Sequence, residues 1–315
     1  MTFGVREKFG VLEWREDIPP SVRGSVVSVG NFDGVHRGHA ELIRRANAIA
    51  SSISSGVAIV TFDPHPLQLL APERFQPQLT TLEDRVDLLL TGGANAVVVI
   101  RTNDELLQLS PTDFFRRILL RQLDANGVVE GFNFRFGHDR EGSVETMHEL
   151  CATQGIPFQV VEPFKHHEVV VSSSRVRDAL VAGDVRVAGD LLNRFYQIRG
   201  TVTEGAKRGR TIGFPTANLV DVPTLLPAEG VYAVRVCLGT SSWPGAANIG
   251  PNPTFGENAR KIEVHLIGFA GDLYGRSLRV EFTDRLRGTR KFNSVDELVA
   301  QMRLDVERAR ALAPC

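Results

Sequence analysis

A chain of 315 residues is long for one hydrophobic core and predicts two domains. Its 43% hydrophobic and 23% charged residues match a soluble globular protein, and a formal net charge of −1 gives no global field for nucleic acid or an anionic membrane. Three scattered cysteines, Cys151, Cys237 and Cys315, offer neither a disulfide framework nor a C-x-x-C zinc site.

No apolar run reaches membrane-spanning length, and Met1 to Gly10 lacks a signal-peptide core, so a reducing cytoplasm is the expected location. In chain order, Val26–Val29 predicts a strand and His39–Ile53 a helix. Val57–Phe62 follows as a strand and Thr81–Leu90 as a helix capped by Thr80 or Thr81. Ala96–Ile100, Gly127–Glu130 and Phe158–Val161 read as further strands, with helices over Pro111–Leu123 and Glu145–Gln154. This alternation predicts an α/β, Rossmann-like doubly wound sheet with mostly parallel strands over 1–185. Ser172–Leu192 reads as two short helices broken at Gly183.

From 186 to 315 the texture changes. Short strands at Tyr196–Val202, Gly230–Cys237, Lys261–Ile267 and Ser277–Phe282 are separated by Gly/Pro/Asn-rich turns, the pattern of a small barrel or sandwich. Ser294 and Glu297 match a capping box, and Val295, Leu298, Val299, Met302 and Val306 recur at helical spacing behind it.

The chemistry of the first half concentrates where predicted strands end. Gly30-Asn31-Phe32-Asp33-Gly34-Val35-His36-Arg37-Gly38-His39 lies between a strand and a helix N-terminus. Backbone N–H groups and the helix dipole there favour a phosphate chain, and His36 and His39, three apart, point the same way. Phe62 and His65 leave the second strand in a loop fixed by Pro64 and Pro66. Phe132, Phe134 and Phe136 alternate after a later strand, as a wall for a flat ring or as plain core, with Asn133 and Arg135 projecting elsewhere. Ser172-Ser173-Ser174-Arg175-Val176-Arg177 opens a predicted helix with hydroxyls and guanidinium groups suited to an anion.

In the second half, Gly205–Asn218 combines glycines with Lys207, Arg208 and Arg210, a setting for nucleotide phosphates. Thr216 and Asn218 would share one strand face and offer hard oxygens to Mg²⁺. Glu263 alternates with Ile262 and Val264, which places its carboxylate on the opposite face, available as a proton acceptor. No Gly-x-x-x-x-Gly-Lys-Ser/Thr string is present, which disfavours a P-loop NTPase.

Together the first-half strings resemble the H-x-G-H nucleotidylyltransferases, and more closely the FMN adenylyltransferase module of bacterial bifunctional riboflavin kinase/FAD synthetases. The second half resembles their riboflavin kinase module through Gly209–Asn218, Pro227–Tyr232, Asn248–Phe255, Glu263–Leu266 and Leu273–Gly275. The resemblance implies a Greek-key barrel with a terminal helix for that half. It implies that Gly30, Phe32, Asp33, His36 and His39 serve ATP in the first module, with Ser173, Ser174 and Arg177 holding the triphosphate. Phe62, His65 and Asn133 would lie toward the flavin. Ser174 stands where threonine is common, and Asn133 where some relatives carry aspartate. In the second module Gly209, Arg210, Gly213 and Pro215 would line the nucleotide, Thr216 and Asn218 would assist Mg-ATP, and Glu263 would deprotonate riboflavin. ATP, riboflavin and FMN are then substrates and FAD the product. A homo-oligomer is compatible with the sequence. Two rivals remain at this stage: an adenylyltransferase with another phosphate acceptor, such as pantetheine phosphate, and a flavin-binding regulator without turnover.

Overall fold

A computed structural model describes residues 11–12, 18–205, 208–252 and 257–313. Lys207 of the basic cluster and 253–255 of the string from Asn248 to Phe255 lie outside them. The chain divides into two compact units, one running through Gln76 and from Thr80 to Val171, the other comprising Pro77–Leu79 and Ser172 onward. The sequence expectation put the boundary at 185/186. The segment between the two positions holds the helix Ser173–Ala182 and the first residue, Val185, of the helix that follows it.

The first unit runs β1 (Val11–Leu12), β2 (Val26–Val29), α1 (Arg37–Ser52), β3 (Val57–Asp63), α2 (Pro66–Leu70), α3 (Leu82–Thr91) and β4 (Ala96–Arg101). It continues with α4 (Asp104–Leu107), α5 (Pro111–Phe114), β5 (Gly127–Gly131), α6 (Val144–Thr153), β6 (Phe158–Val161) and the hairpin β7 (Lys165–His166) and β8 (Val169–Val170). The main sheet has the order β1-β4-β3-β2-β5-β6, parallel throughout. Both faces are covered, and alternation sorts the strand residues. Val57 and Ile59 join the core beneath α1 and α3, while Ala58 and Val60 join the one built with Phe115, Ile118 and Met147. The chain moves one way from β2 through β3 and β4 and then returns to β5 on the other side of β2. That reversal between β2 and β5 is a topological switch point, where ligands of open α/β sheets bind.

Two expectations need correction here. The segment expected as one α-helix from Pro111 opens as α5, capped by Ser110, then passes into π-helical turns over Phe115–Gln122. The run from Gly131 to Gly137 is a turn rather than extended strand: the Phe134 N–H donates to the Gly131 carbonyl at 3.0 Å. Alternation therefore fails. Phe134 and Phe136 stack on each other at 5.3 Å and join the core, and Phe132 alone is exposed.

The second unit contains α7 (Ser173–Ala182), α8 (Val185–Leu192), β9 (Tyr196–Thr203), α9 (Arg208–Thr211), β10 (Ala217–Val220), β11 (Gly230–Leu238), β12 (Ser241–Asn252), β13 (Glu257–Leu266), β14 (Ser277–Arg287) and α10 (Val295–Leu312). Its six strands close an antiparallel barrel in the order β10-β13-β12-β11-β14-β9. Tyr232 and Phe282 meet edge to face at 5.4 Å among the fully buried side chains, and α10 packs through Ala309 against Val231, Ala233 and Leu286. The Ser294 hydroxyl caps α10 by accepting from the Glu297 N–H at 3.2 Å. Strand β12 was not foreseen, because Pro244, Gly245 and Gly250 punctuate its sequence. In the barrel Pro244 pairs with Arg235, and its carbonyl accepts from the Ile267 N–H at 2.8 Å.

Candidate active sites

The loop after β2 is fastened to the sheet at several points. The Gly30 N–H donates to the Val60 carbonyl at 3.0 Å, and the Thr61 hydroxyl donates to the Asn31 carbonyl at 3.1 Å. Asp33 is buried; its Oδ1 accepts from both the N–H and the hydroxyl of Thr80, each at 3.1 Å. The same Thr80 hydroxyl accepts from the Gly34 N–H at 3.2 Å. Phe32 and Val35, neither of them glycine, take positive φ of 47° and 39°, a strained backbone that these attachments sustain.

The attached loop delivers two imidazoles to the start of α1. His36 is the N-cap, and its Nδ1 accepts from the His39 N–H at 3.3 Å. The two rings stack with centroids 3.7 Å apart and 14° between planes, and Phe32 lies 4.9 Å from His39. Gly38 makes this possible, since a Cβ there would stand 3.2 Å from Cε1 and Nδ1 of His36. The arrangement presents imidazoles and a helix N-terminus in one direction, suited to phosphate oxygens.

Neighbouring strand ends contribute the other first-unit candidates. Phe62 is the penultimate residue of β3, and His65 caps α2, its Nδ1 accepting from the Leu67 N–H at 3.1 Å. Asn133 is exposed in the turn after β5. All of these lie at the carboxyl edge of the sheet, on both sides of the switch point.

Arg85 and Glu130 are buried charged residues that the sequence did not single out. Arg85 of α3, 1% exposed, reaches the Thr61 hydroxyl and the Phe62 carbonyl, both at 3.4 Å from Nη1. Burial pulls its pKa down, and the nearby carboxylates of Asp33 and Asp63 oppose that. Glu130 sits where β2 and β5 part. Their pairing ends at Val27 and Val128, and Glu130 Oε1 accepts the Val29 N–H at 2.7 Å. Burial raises its pKa well above the ordinary carboxylate value, and the hydrogen bond from the Val29 N–H opposes that. Nothing in the spacing of these residues distinguishes them from surface charges of α3 or an exposed strand end.

In the second unit the Ser172 hydroxyl caps α7, accepting from the Arg175 N–H at 3.3 Å. Ser173 and Ser174 follow as its first residues, and Arg177 Nε donates to the Pro77 carbonyl at 3.2 Å. The barrel site is built from register. On β13, Glu263 stands opposite Asn218 of β10 on one side and Asn248 of β12 on the other. Ile262 and Val264 are buried, which turns Glu263 away from the barrel core. Thr216 directly precedes β10, outside its paired ladder, and Asn218 is the second residue of that strand. The turn Gly209–Phe214 closes tightly, the Phe214 N–H donating to the Gly209 carbonyl at 2.7 Å, and a Cβ on Gly209 would overlap the Phe214 carbonyl oxygen. Arg210, Gly213 and Pro215 are exposed around that turn. The Pro215 carbonyl accepts from His265 Nδ1 at 2.8 Å, which ties the segment before Thr216 to β13. Asn248 was named only as part of a shaping loop; its cross-strand place beside Glu263 requires the pairing of a strand the sequence conceals.

A doubly wound sheet with stacked histidines at a helix start, joined to a barrel with a carboxylate between two asparagines, defines a two-module nucleotide-dependent transferase. The FAD synthetase family model matches residues 18–175, and the riboflavin kinase model matches residues 192–313. The chain is 37% identical to the bifunctional riboflavin kinase/FMN adenylyltransferase of Pseudomonas fluorescens, over 94% of this chain and 96% of that one. It is 36% identical to that of Escherichia coli K12 (91% and 92% covered) and 37% identical to that of Bacillus subtilis (90% and 91%). A crystal structure described as a macrolide-efflux protein from Streptococcus pneumoniae superposes with a TM-score of 0.85 at 33% identity, covering 95% of this chain and 97% of that one. Among the described residues no helix is long and apolar enough to cross a membrane. The chain belongs to the bifunctional riboflavin kinase/FMN adenylyltransferase family.

Proposed function

We propose that this chain makes FAD in two steps, phosphorylating riboflavin with ATP to FMN and ADP, then joining FMN to AMP from a second ATP with release of pyrophosphate. The observation that carries the reading is the stacked His36–His39 pair at the N-terminus of α1, on the switch-point edge of the sheet.

In the second step a phosphate oxygen of FMN attacks the α-phosphorus, and the bond to the pyrophosphate oxygen breaks. The FMN phosphate is already ionised, so no strong base is required, and positioning with charge stabilisation carries the rate. His36 and His39 hold phosphate oxygens as that charge redistributes. Gly30, Phe32 and Asp33 shape the loop beneath them. Ser173, Ser174 and Arg177 hold the triphosphate, and Phe62, His65 and Asn133 face the flavin. The adenylyl-transfer module thus extends to residue 185, and the kinase module begins at 186.

In the first step Glu263 accepts the proton of the attacking ribityl hydroxyl, while Gly209, Arg210, Gly213 and Pro215 line the nucleotide. Thr216 and Asn218 present neutral hard oxygens, a donor set that fits Mg²⁺ whose other ligands are phosphates. Bound there, Mg²⁺ would neutralise phosphate charge. The partners are these small molecules rather than nucleic acid or membrane, in the cytoplasm, with a homo-oligomer compatible.

The test is chromatography of flavins after incubating the protein with riboflavin, ATP and Mg²⁺. FAD is the expected product. FMN as the end point would overturn the adenylyl-transfer assignment, and unchanged riboflavin the kinase assignment.

A further inference from the structure

The segment that carries Thr216 leaves the barrel ladder before reaching that residue. β10 pairs with β13 at Asn218–Glu263 and Ala217–Val264, and the antiparallel register would next set Thr216 opposite His265. The pairing stops there, and a side chain takes over. His265 Nδ1 donates to the Pro215 carbonyl at 2.8 Å. Proline has no N–H, so its backbone offers a neighbour only the carbonyl, and a carbonyl only accepts. Nδ1 therefore carries the proton in this contact.

The imidazole stands on a rigid base and holds a compact turn. His265 lies opposite Ala246 of β12, and β12 packs so closely at Gly245 that a Cβ there would lie 2.6 Å from the His265 carbonyl oxygen. On the loop side, Phe214 and the His265 ring meet edge to face with centroids 5.7 Å apart. The Phe214 N–H closes the turn on the Gly209 carbonyl at 2.7 Å, and a Cβ on Gly209 would stand 3.4 Å from the Thr216 hydroxyl oxygen. Glycine at 209 keeps the space beside that hydroxyl open, as Gly205 does beside the Asn218 amide, which a Cβ at 205 would overlap. Alternation puts His265 on the face of Glu263, with Val264 buried between them. All of these residues belong to the second compact unit.

We propose that His265 is a positioning residue of the kinase site: by holding the Pro215 carbonyl it fixes where the Thr216 hydroxyl stands relative to Asn218 and Glu263. The proposal rests on reading Thr216 and Asn218 as the oxygens offered to Mg-ATP. A segment past the end of a ladder needs such a tie to keep one place, and a binding group displaced by about 1 Å costs up to about 10²-fold.

Two substitutions separate the donor from the ring. His265→Phe keeps the aromatic contact with Phe214 and loses the hydrogen bond. His265→Asn loses the ring and keeps a donor, Nδ2, the same number of bonds from the backbone as Nδ1. His265→Phe is expected to raise KM for Mg-ATP in riboflavin phosphorylation about tenfold, the upper range for one hydrogen bond, with KM for riboflavin within about twofold of wild type. His265→Asn should recover most of that loss. Amide hydrogen exchange of the proteins without substrates reads the tie apart from turnover. Residues 210–218 should exchange faster in His265→Phe and near the wild-type rate in His265→Asn, with β11 and β14 unchanged in both. Wild-type KM for Mg-ATP in His265→Phe, or a His265→Asn enzyme as impaired as His265→Phe, would overturn the proposal. Thr216→Val, run alongside, separates the two levels. Wild-type KM for Mg-ATP in Thr216→Val removes the reading of that hydroxyl and the proposal with it. A raised KM in Thr216→Val with none in His265→Phe removes the proposal alone.

Discussion

Asn218 and Glu263 stand directly opposite each other on β10 and β13, in register, on the face turned away from the barrel core. Directly opposed antiparallel residues have Cβ atoms about 4.5–5.5 Å apart, so the Asn218 amide proposed for the metal–nucleotide and the Glu263 carboxylate proposed as proton acceptor are held side by side. A proton acceptor placed this way contributes about 10²–10⁴-fold.

Glu263→Gln keeps the size of the side chain and removes its basicity. It should lower riboflavin phosphorylation by at least about 10²-fold. FAD formation from supplied FMN should remain near wild type, because His36 and His39 lie in the other compact unit. Flavin chromatography with each substrate in turn gives both numbers, and equal loss in a folded variant would remove the case for separate sites.

Asn248 faces the same glutamate from β12. Its amide lies within reach of the carboxylate by the same geometry, and a hydrogen bond to a charged group is worth about 1.5–3 kcal/mol. Asn248→Ala should therefore lower kinase kcat about tenfold or more, since about 1.4 kcal/mol is tenfold. The pH at which that activity rises should shift as well, which would distinguish action through Glu263 from simple loss of fold.

Much of the fold was legible because both periodicities are clean. Val57 to Val60 alternate between two cores, and the α10 pattern begins at a hydroxyl cap. Unusual strings marked His36, His39, Thr216 and Asn218 as candidates, whereas Glu263, in an ordinary alternating strand, was singled out through the family resemblance. What was hidden depends on pairing between distant strands. Pro244 and Gly245 disguise β12, and without β12 the place of Asn248 cannot be read. Arg85 and Glu130 were hidden for another reason: each looks like an ordinary charge until the sheet closes over it. The turn after β5 misled the alternation argument, because Phe134 and Phe136 fold back into the core.

At the start of α1, Gly38 gives the histidine pair room to stack. Gly38→Ala would press a methyl group against the His36 ring at about van der Waals overlap, moving the imidazole while leaving both histidines in place. FMN adenylylation should fall by up to about tenfold, since the ring must yield by a few tenths of an ångström and a full 1 Å misplacement costs about 10²-fold. His36→Ala should abolish FAD formation and let FMN accumulate from riboflavin. A Gly38→Ala enzyme with wild-type adenylylation would mean that the stacked geometry is not the working one.

The carboxyl of Glu130 makes stability fall as pH rises. Its pKa is raised by burial in the folded chain, so above the ordinary carboxylate value the folded state binds more protons than the unfolded state. Stability contributed by the neutral carboxyl is complete below the unfolded pKa and declines as pH climbs toward the folded one. Glu130→Gln supplies a neutral oxygen to the Val29 N–H without this proton requirement. The variant should therefore match or exceed wild-type stability at pH 7 to 8, and show a flatter decline between about pH 4.5 and neutrality. Urea midpoints of the first unit's unfolding transition, taken across that range, measure the difference. A Glu130→Gln protein whose midpoint falls with pH as steeply as wild type would show that the decline belongs to other groups.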